Sequence, residues 1–520
     1  RFFSSHDGLI AQNGIFDITM LLQHFPVKRL HFDTMVAHHT VYPELPHSLD
    51  FLTSVYTRFP YYKWMRMSGD KNTFFKYNAL DAVVTFQVKQ KLEEELTEYD
   101  LKDFFYGFVM PLWHCTFRMG LRGILVDNKA RGELDRELEK EADQLQMVFN
   151  KRIGQILNVR SHTQMKEYLY ETLKLPKQYD RKTGALTTDE KALEKLAKKN
   201  PEVREILTIR KPLNLRSKLT KAKLDEDDRA RTQYSQSVTD TGRLSSRKTL
   251  WRTGMDLQNI HREPSKRKMF IADPGFVLTS YDLSQSEGRI VIWFAKDEEG
   301  KMFLRSGGDI HAFGAQIILD ALDLKMPVTT VLNVGPYKGK TIRDGTKPVV
   351  HGLNYLLGPD HLCELVSENL GLSITRTQGK LVRERYYKKR YRIAAWHEEI
   401  REVMNTTRIL ITPFGRRRNF FGRLGEDLLR KMVAHLPQST SVDCLDSAMV
   451  RIDLRLPELA VHLVQAHDEG VVQHLPEQTE EIHSIIREEL SFPIIIHNDP
   501  LVIPVEIKTG PNWGELKEIK

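Results

Sequence analysis

Apolar runs of strand length and apolar positions at helical spacing alternate along this chain. Phe276-Val277-Leu278-Thr279-Ser280-Tyr281 has strand length and ends on Asp282. A second run, Val461-His462-Leu463-Val464-Gln465-Ala466, leads into His467-Asp468-Glu469-Gly470, and Val471-Val472 follows. This predicts a tight hairpin with two adjacent carboxylates at its tip. Leu501 to Ile507 predicts a further strand, before Gly510-Pro511-Asn512-Trp513-Gly514. Ile290 to Ala295 continues at helical period. Residues 1–105 mix short apolar runs with helical patterns, and residues 106–235 read as mostly helical. There Asp127 caps a charged helix predicted from Lys129 to Arg152, and Thr187-Thr188-Asp189-Glu190 opens another. Thr412 to Arg418 predicts a strand end and a basic turn. Pro437-Gln438-Ser439-Thr440 precedes a helix predicted from Ser441 to Arg455. Together the elements predict an α/β multi-domain protein.

Composition narrows the class. A chain of 520 residues with 41% hydrophobic residues predicts three or four domains with real cores. No apolar run reaches the ~18 residues of a membrane span. The opening stretch, Arg1-Phe2-Phe3-Ser4, is too short and too polar onward for a signal peptide, and it lacks a Met. The net charge of +8 suits a polyanionic partner while leaving carboxylates free for metal work. Cys115, Cys363 and Cys444 show neither finger spacing nor a disulfide framework, so a reducing compartment is expected.

Candidate chemistry starts at Asp282. A rigid strand that delivers a carboxylate at its tip can hold a divalent cation such as Mg²⁺. Gln285, Glu287 and Arg289 follow within one turn of chain. Asp468 and Glu469 crowd one turn, and a divalent cation relieves their repulsion. Arg343, Lys347, His351 and Tyr355 recur every four residues and share a helix stripe. Two cations followed by two rings suit a triphosphate, its sugar and its base. Pro348 leaves open whether that helix is kinked or starts there. His311, just after Asp309 at a helix start, can meet an anion. The loop Gln236 to Ser246 can carry Arg243 into a minor groove, with Gln258-Asn259 and Arg262 beyond it. Cations are dense from Arg204 to Lys223. They are dense again from Arg376 to Arg392, where Tyr386, Tyr387 and Tyr391 interleave as they do along nucleic acid. Asp17, and Tyr77 with Asp81 one turn away, offer carboxylates and a water-orienting hydroxyl. Each feature taken alone also fits a structural role: a solvated turn, an acidic β-turn, a basic helix edge, a helix cap.

Five motifs in order resolve this. They are Thr241-Gly242-Arg243-Leu244-Ser245-Ser246, Tyr281 to Arg289, Asp309-Ile310-His311, the Arg343/Lys347/Tyr355 helix, and His467-Asp468-Glu469, closed by Asn512-Trp513-Gly514. From Gly120 onward the chain resembles the DNA polymerase I family, family A. Residues 1–105 resemble the later part of that family's ribonuclease H-like 3′–5′ exonuclease domain. The resemblance implies a right hand: thumb 106–235, palm 236–289 and 401–520, fingers 290–400. It implies a template-directed DNA polymerase that uses primer-template DNA and dNTPs. Asp282 and Asp468 would hold two Mg²⁺ ions (Mn²⁺ as a substitute) ~3.5–4 Å apart, with Glu469 in support. Lys347 would be the acid that protonates pyrophosphate. Arg343 and His311 would grip the triphosphate; Tyr355, His351 and Gln285 would line the nucleotide. Glu287 would exclude a ribose 2′-hydroxyl. Arg243, Asn259, Gln438 and His467 would contact DNA. A monomer in the cytoplasm of a bacterial or phage-infected cell, or in an organelle, fits the same picture.

The sequence also departs from the family pattern. Ser286 and Gly288 stand where aliphatic residues are usual, and Leu356 where glycine is usual. His351 replaces Phe or Tyr, while Asn354 is similar to phage-type members. An extra segment, Arg247 to Met255, precedes Gln258. Asp17, Tyr77 and Asp81 match the second and third exonuclease motifs, whereas the first, Asp-x-Glu, has no counterpart. Weak or absent proofreading is therefore expected, and no 5′-nuclease domain. Two competing readings are a single-subunit RNA polymerase, opposed by Glu287, and a non-catalytic DNA-binding protein on the same fold, opposed by Asp282, Lys347 and Asp468.

Overall fold

The computed structural model describes residues 8–333 and 335–518. The Arg1–Ser4 stretch lies outside them. Among the described residues no helix is long and apolar enough to cross a membrane.

The N-terminal unit pairs two parallel strands, β1 (Leu9–Ala11) and β2 (Leu30–Asp33), beside the long helix α1 (Lys71–Glu98). Its core packs Phe32, Val84, Val88 and Leu92 with Phe105 and Trp113. The next unit is helical: α2 (Met110–Arg122), α3 (Asn128–Ile153) and α4 (Pro201–Lys218). Asp127 caps α3 as predicted, accepting from Lys129 N at 2.8 Å and Ala130 N at 3.2 Å. The basic run on α4 is largely occupied from within. Arg216 reaches Asp135 at 2.8 Å, Lys221 reaches the same carboxylate at 2.9 Å, and Arg204 and Arg210 donate to backbone carbonyls. Lys211, Lys218 and Lys223 stay exposed.

The sheet at the centre is antiparallel. Its middle strand is β3 (Val277–Leu283), followed by helices α5 (Ser286–Phe294), α6 (Ile310–Ala321), α7 (Ile342–Asn354) and α8 (Arg376–Lys389). The chain then returns through α9 (Glu426–Arg455), β4 (Val461–Ala466), β5 (Glu469–His474), β6 (Val505–Gly510) and β7 (Lys517–Glu518). The strand order is β4-β5-β3-β6-β7. Both faces of β3 are covered: Leu278 packs into one core and Tyr281, on the opposite face, into another.

Two expectations change. The helix predicted from Ser441 begins at Glu426 and runs straight through Pro437. A proline inside a helix costs ~3 kcal/mol. Burial offsets it: from Met432 to Ile452 no residue is exposed. Gln438 therefore lies mid-helix rather than before a helix. Second, the tyrosines of α8 are not free to stack on bases. Tyr386 is buried and donates to Asn354 Oδ1 at 2.7 Å, and Tyr387 donates to Leu353 O at 2.6 Å. Both brace the end of α7, while Tyr391 stays exposed.

Candidate active site

The tip of β3 is set from both sides. Asp282 stands opposite Glu469 on β5 and opposite Glu506 on β6. Behind it, the Tyr281 ring fills the space over Gly470: a Cβ there would come within 2.2 Å of Tyr281 Cζ. The Tyr281 hydroxyl and His462 Nε2 share a hydrogen bond of 2.9 Å, whose direction follows the imidazole tautomer. The turn to β5 is the dipeptide His467-Asp468, with His467 in left-handed backbone at φ 57°. It is held by Gln465, whose Nε2 donates to His467 O at 2.8 Å and whose Oε1 accepts from the buried Gln258 at 2.7 Å.

Asp282 is crowded by like charge. Burial pushes its carboxyl up to about 7; Asp468, Glu469 and Glu506 push the same way, and Arg262, 3.6 Å away, opposes them. A carboxylate with this environment gains from a divalent cation. Asp468 is half-buried on the adjoining turn. Oxygen donors from Asp282 and Asp468 suit a hard cation. Glu469 differs from the prediction of an exposed turn residue. It is buried in β5, where Arg267 pairs with it at 2.8 Å and Trp513 Nε1 donates at 2.9 Å. The Arg267 guanidinium also stacks 4.0 Å over the Trp513 ring. Glu469 thus arrives with its charge already paired.

After the tip, Gln285 takes left-handed backbone at φ 55°, which turns the strand into α5. Its Oε1 is buried without a hydrogen-bond partner among the described residues. Glu287 uses both oxygens: Arg243 donates to Oε1, and Tyr355 OH donates to Oε2 at 2.5 Å. One carboxylate therefore joins the Arg243 loop, α5 and α7. The two departures around it have local causes. Ser441 on α9 donates to Ser286 at 2.7 Å, and a Cβ on Gly288 would lie 2.2 Å from Ile310 Cδ1. The polar and missing side chains let α5 sit close to α9 and α6.

Helix α7 begins at Ile342 under a capping box of Thr341 and Asp344, so Pro348 falls inside it. Arg343 and Lys347 are helical, and the stripe exists. Arg343 is engaged by Asp309 at 2.7 Å and Asp344 at 3.0 Å. Lys347 is exposed and forms no ion pair among the described residues. The His351 ring lies 5.0 Å from the His311 ring, tilted by 43°. His311 is only 1% exposed, and neither ring nitrogen has a hydrogen-bond partner among the described residues. Burial, then His351, Lys347 and Arg343, hold His311 down to about 3; burial and Lys347 hold His351 down to about 4. Two neutral rings beside the exposed Lys347 leave room for an anion's charge.

The DNA-side candidates spread around this centre. Arg243 follows Gly242, whose φ of 81° and lack of Cβ admit the Arg416 guanidinium. Arg418 fixes the same loop, pairing with Asp240 at 2.9 Å and with Glu44 of the N-terminal unit at 2.6 Å. Asn259 donates to Asp256 at 2.5 Å, and Gln438 makes no side-chain hydrogen bond among the described residues.

The N-terminal carboxylates look different. Tyr77 and Asp81 share a face of α1 as predicted, but Asp81 accepts from Lys63 Nζ and Tyr62 OH, each at 2.7 Å. Lys63 also lies 3.8 Å from Asp50 and about 5 Å over the Tyr62 and Tyr77 rings (5.1 and 5.2 Å). Asp17 is exposed on a separate helix, Ile15–Leu22. No hydrogen bond or ion pair joins Asp17 to Asp81 among the described residues.

A family model described as DNA polymerase family A matches residues 128–515. This chain belongs to DNA polymerase family A. It is 30% identical to the thermostable DNA polymerase I of Thermus filiformis over 426 residues, covering 78% of this chain and 48% of that protein. It is 26% identical to DNA polymerase I of Synechocystis sp., covering 98% of this chain and 53% of that protein. The chain thus spans about half the length of these curated relatives. Among solved structures it is similar to the POL domain of Pol1 from M. smegmatis in complex with DNA primer-template and dNTP. The TM-score is 0.78 at 22% identity, covering 98% of this chain and 86% of that one. The right-hand fold expected of the family is therefore the fold of this chain.

Sequence reasoning missed Lys63, Arg267, Gln465 and His462, and gave Gln258 no role at the turn. Only the odd Ser286 and Gly288 hinted at unusual packing behind the tip. The contacts Lys63–Asp81, His462–Tyr281, Arg267–Glu469 and Gln465–Gln258 span 18 to 207 residues and carry no spacing signal.

Proposed function

We propose that this chain is a template-directed DNA polymerase that extends a primer 3′ end with dNTPs and releases pyrophosphate. The observation that carries the reading is the crowding of Asp282 by carboxylates at a tip beside the cationic face of α7. Asp282 and Asp468 are the residues that would hold divalent cations, Mg²⁺ with Mn²⁺ as substitute. When bound, such ions supply charge compensation to the attacking and leaving oxygens.

The chain's own residues do the rest. Arg343 exchanges Asp309 for phosphate oxygens, and His311 offers its unpartnered nitrogens to the same triphosphate. The primer 3′-oxygen bonds to the α-phosphorus as the bridging oxygen leaves with pyrophosphate, and Lys347 gives that leaving group a proton. Tyr355, His351 and Gln285 line the incoming nucleotide. Glu287, held by both oxygens, occupies the volume a 2′-hydroxyl needs. Arg243, Asn259, Gln438 and His467 face the primer-template. Residues 106–235 act as thumb, 236–289 and 401–520 as palm, and 290–400 as fingers. Residues 1–105 form an exonuclease-like unit with weak or absent proofreading, a reading supported by Lys63 on Asp81. Action as a monomer in a bacterial or phage-infected cytoplasm belongs to the same proposal; the bacterial relatives support it.

Primer extension tests it, run on DNA and RNA templates with dNTPs and rNTPs in parallel. Extension with dNTPs that Asp468→Ala abolishes is expected. Extension by the variant at the parent's rate overturns the assignment. Equal use of rNTPs would turn the reading toward an RNA polymerase.

A further inference from the structure

Behind the β3 tip, three side chains from three elements meet: Cys115 of α2, Asp453 of α9 and His462 of β4. One ligand atom from each lies within 4.8 Å of the others. Cys115 and His462 are 1% and 3% exposed, and Asp453 is half-buried. We propose that this cluster is a zinc site, separate from the polymerase carboxylates, that pins the catalytic strand from behind.

The donor set is thiol, imidazole and carboxylate. That combination selects Zn²⁺ over Mg²⁺, which takes oxygen donors. The spacing is close to what the ion needs. His462 Nδ1 and Asp453 Oδ1 are 3.4 Å apart, the edge of a tetrahedron with Zn–N and Zn–O bonds of ~2.0 Å. Cys115 Sγ lies 4.0 Å from Met119 Sδ and faces the Asp453 carboxylate.

Two of the three ligands carry the outer partner that metal ligands use. The far imidazole nitrogen, Nε2, meets Tyr281 OH at 2.9 Å; with Nδ1 on zinc, its N–H donates to that oxygen. The second Asp453 oxygen accepts from Arg118, which steers Oδ1 toward the cluster. Arg118 is 59% exposed and Asp453 half-buried, so the carboxylate is the member of the cluster nearest solvent, and a water on that side would complete four-coordination. The thiol proton leaves on binding, as zinc ligation requires. Tyr281 is the neighbour of Asp282, so an ion on His462 would fix the hydroxyl that anchors the metal-binding tip.

The test uses the whole purified chain, with Asp282→Asn/Asp468→Asn in a parallel sample to remove the palm carboxylates. Zn²⁺ content is measured after dialysis against excess Mg²⁺, and Co²⁺ is substituted to read thiolate ligation by its charge-transfer absorption. One Zn²⁺ per chain is expected in both samples. A cobalt–thiolate band is also expected, absent in Cys115→Ser and weakened at least tenfold in affinity in His462→Gln. Should Cys115→Ser fail to fold, alkylation of Cys115 in the unsubstituted chain serves instead: added Zn²⁺ must slow it while Cys363 reacts as before. Absence of the band, zinc content unchanged in Cys115→Ser, or alkylation of Cys115 insensitive to Zn²⁺ overturns the proposal.

Discussion

Two sets of carboxylates in this chain have opposite electrostatics. At the β3 tip, Asp282 has Asp468, Glu469 and Glu506 nearby, and among the described residues its one ion pair is with Arg262 at 3.6 Å. On α1, Asp81 already holds an ammonium at 2.7 Å and a tyrosine hydroxyl at the same distance. The first set is short of positive charge; the second is supplied from within the chain. A carboxylate type in a motif position is therefore not a metal site until its counter-charge is known. Glu287 is a third case: both oxygens are paired, which makes it a rigid shape rather than a ligand.

The strongest way to break the comparison is to remove the palm carboxylates. Asp282→Asn and Asp468→Ala should each lower single-turnover extension by roughly 10³-fold or more, several kcal/mol of lost transition-state charge stabilisation. Asp81→Ala should leave the same rate within about twofold. Equal losses at the two sites would erase the distinction.

Glu287→Ala comes next. Without the carboxylate, rejection of ribose should weaken by about 10²-fold, read as the ratio of kcat/KM for dNTP and rNTP. Removal of the Arg243 and Tyr355 partners separately should each relax it in part, because they fix the shape.

The pH dependence is a smaller effect with a definite sign. The Asp282 carboxyl sits at about 7 in the folded chain, above the ordinary value of 3.8. The folded state therefore holds a proton that the unfolded state has lost between those pH values. Stability of the metal-free chain should fall as pH rises from about 4 to 7 and level off above it. Thermal melts should show that slope reduced in Asp282→Asn and opposed by saturating Mg²⁺, which favours the ionised carboxylate. A slope unchanged by the substitution would assign it elsewhere.

Lys63→Ala should have the smallest consequence. The Lys63–Asp81 pair is half-buried, so its loss should cost about 1 kcal/mol in denaturant unfolding, with extension unchanged. Appearance of Mg²⁺-dependent trimming of a mismatched 3′ end would sharpen the comparison by showing that Lys63 alone keeps a cation out.

The elements were legible where local pattern sufficed. The run ending at Asp282, the hairpin around His467-Asp468, the cap at Asp127 and the register of Arg343, Lys347 and His351 all follow from period and punctuation. The pattern misled where burial overrode a local preference. Pro437 suggests a helix start, yet a buried helix continues through it. Tyr386 and Tyr387, set among cations, suggest a nucleic-acid face, yet they brace α7. Ser286 and Gly288 were conspicuous but uninterpretable until Ser441 and Ile310 stood against them.

The sequence by itself determined the family, the order of its motifs and the side chains that can carry the chemistry, because these depend on residue type and short spacing. Only the tertiary structure decided which carboxylates are free and which are spent. Arg267 reaches Glu469 across 202 residues, Lys63 reaches Asp81 across 18, and Cys115 meets His462 from another unit. Charge acts through space at a few ångströms, and distance along the chain says nothing about it.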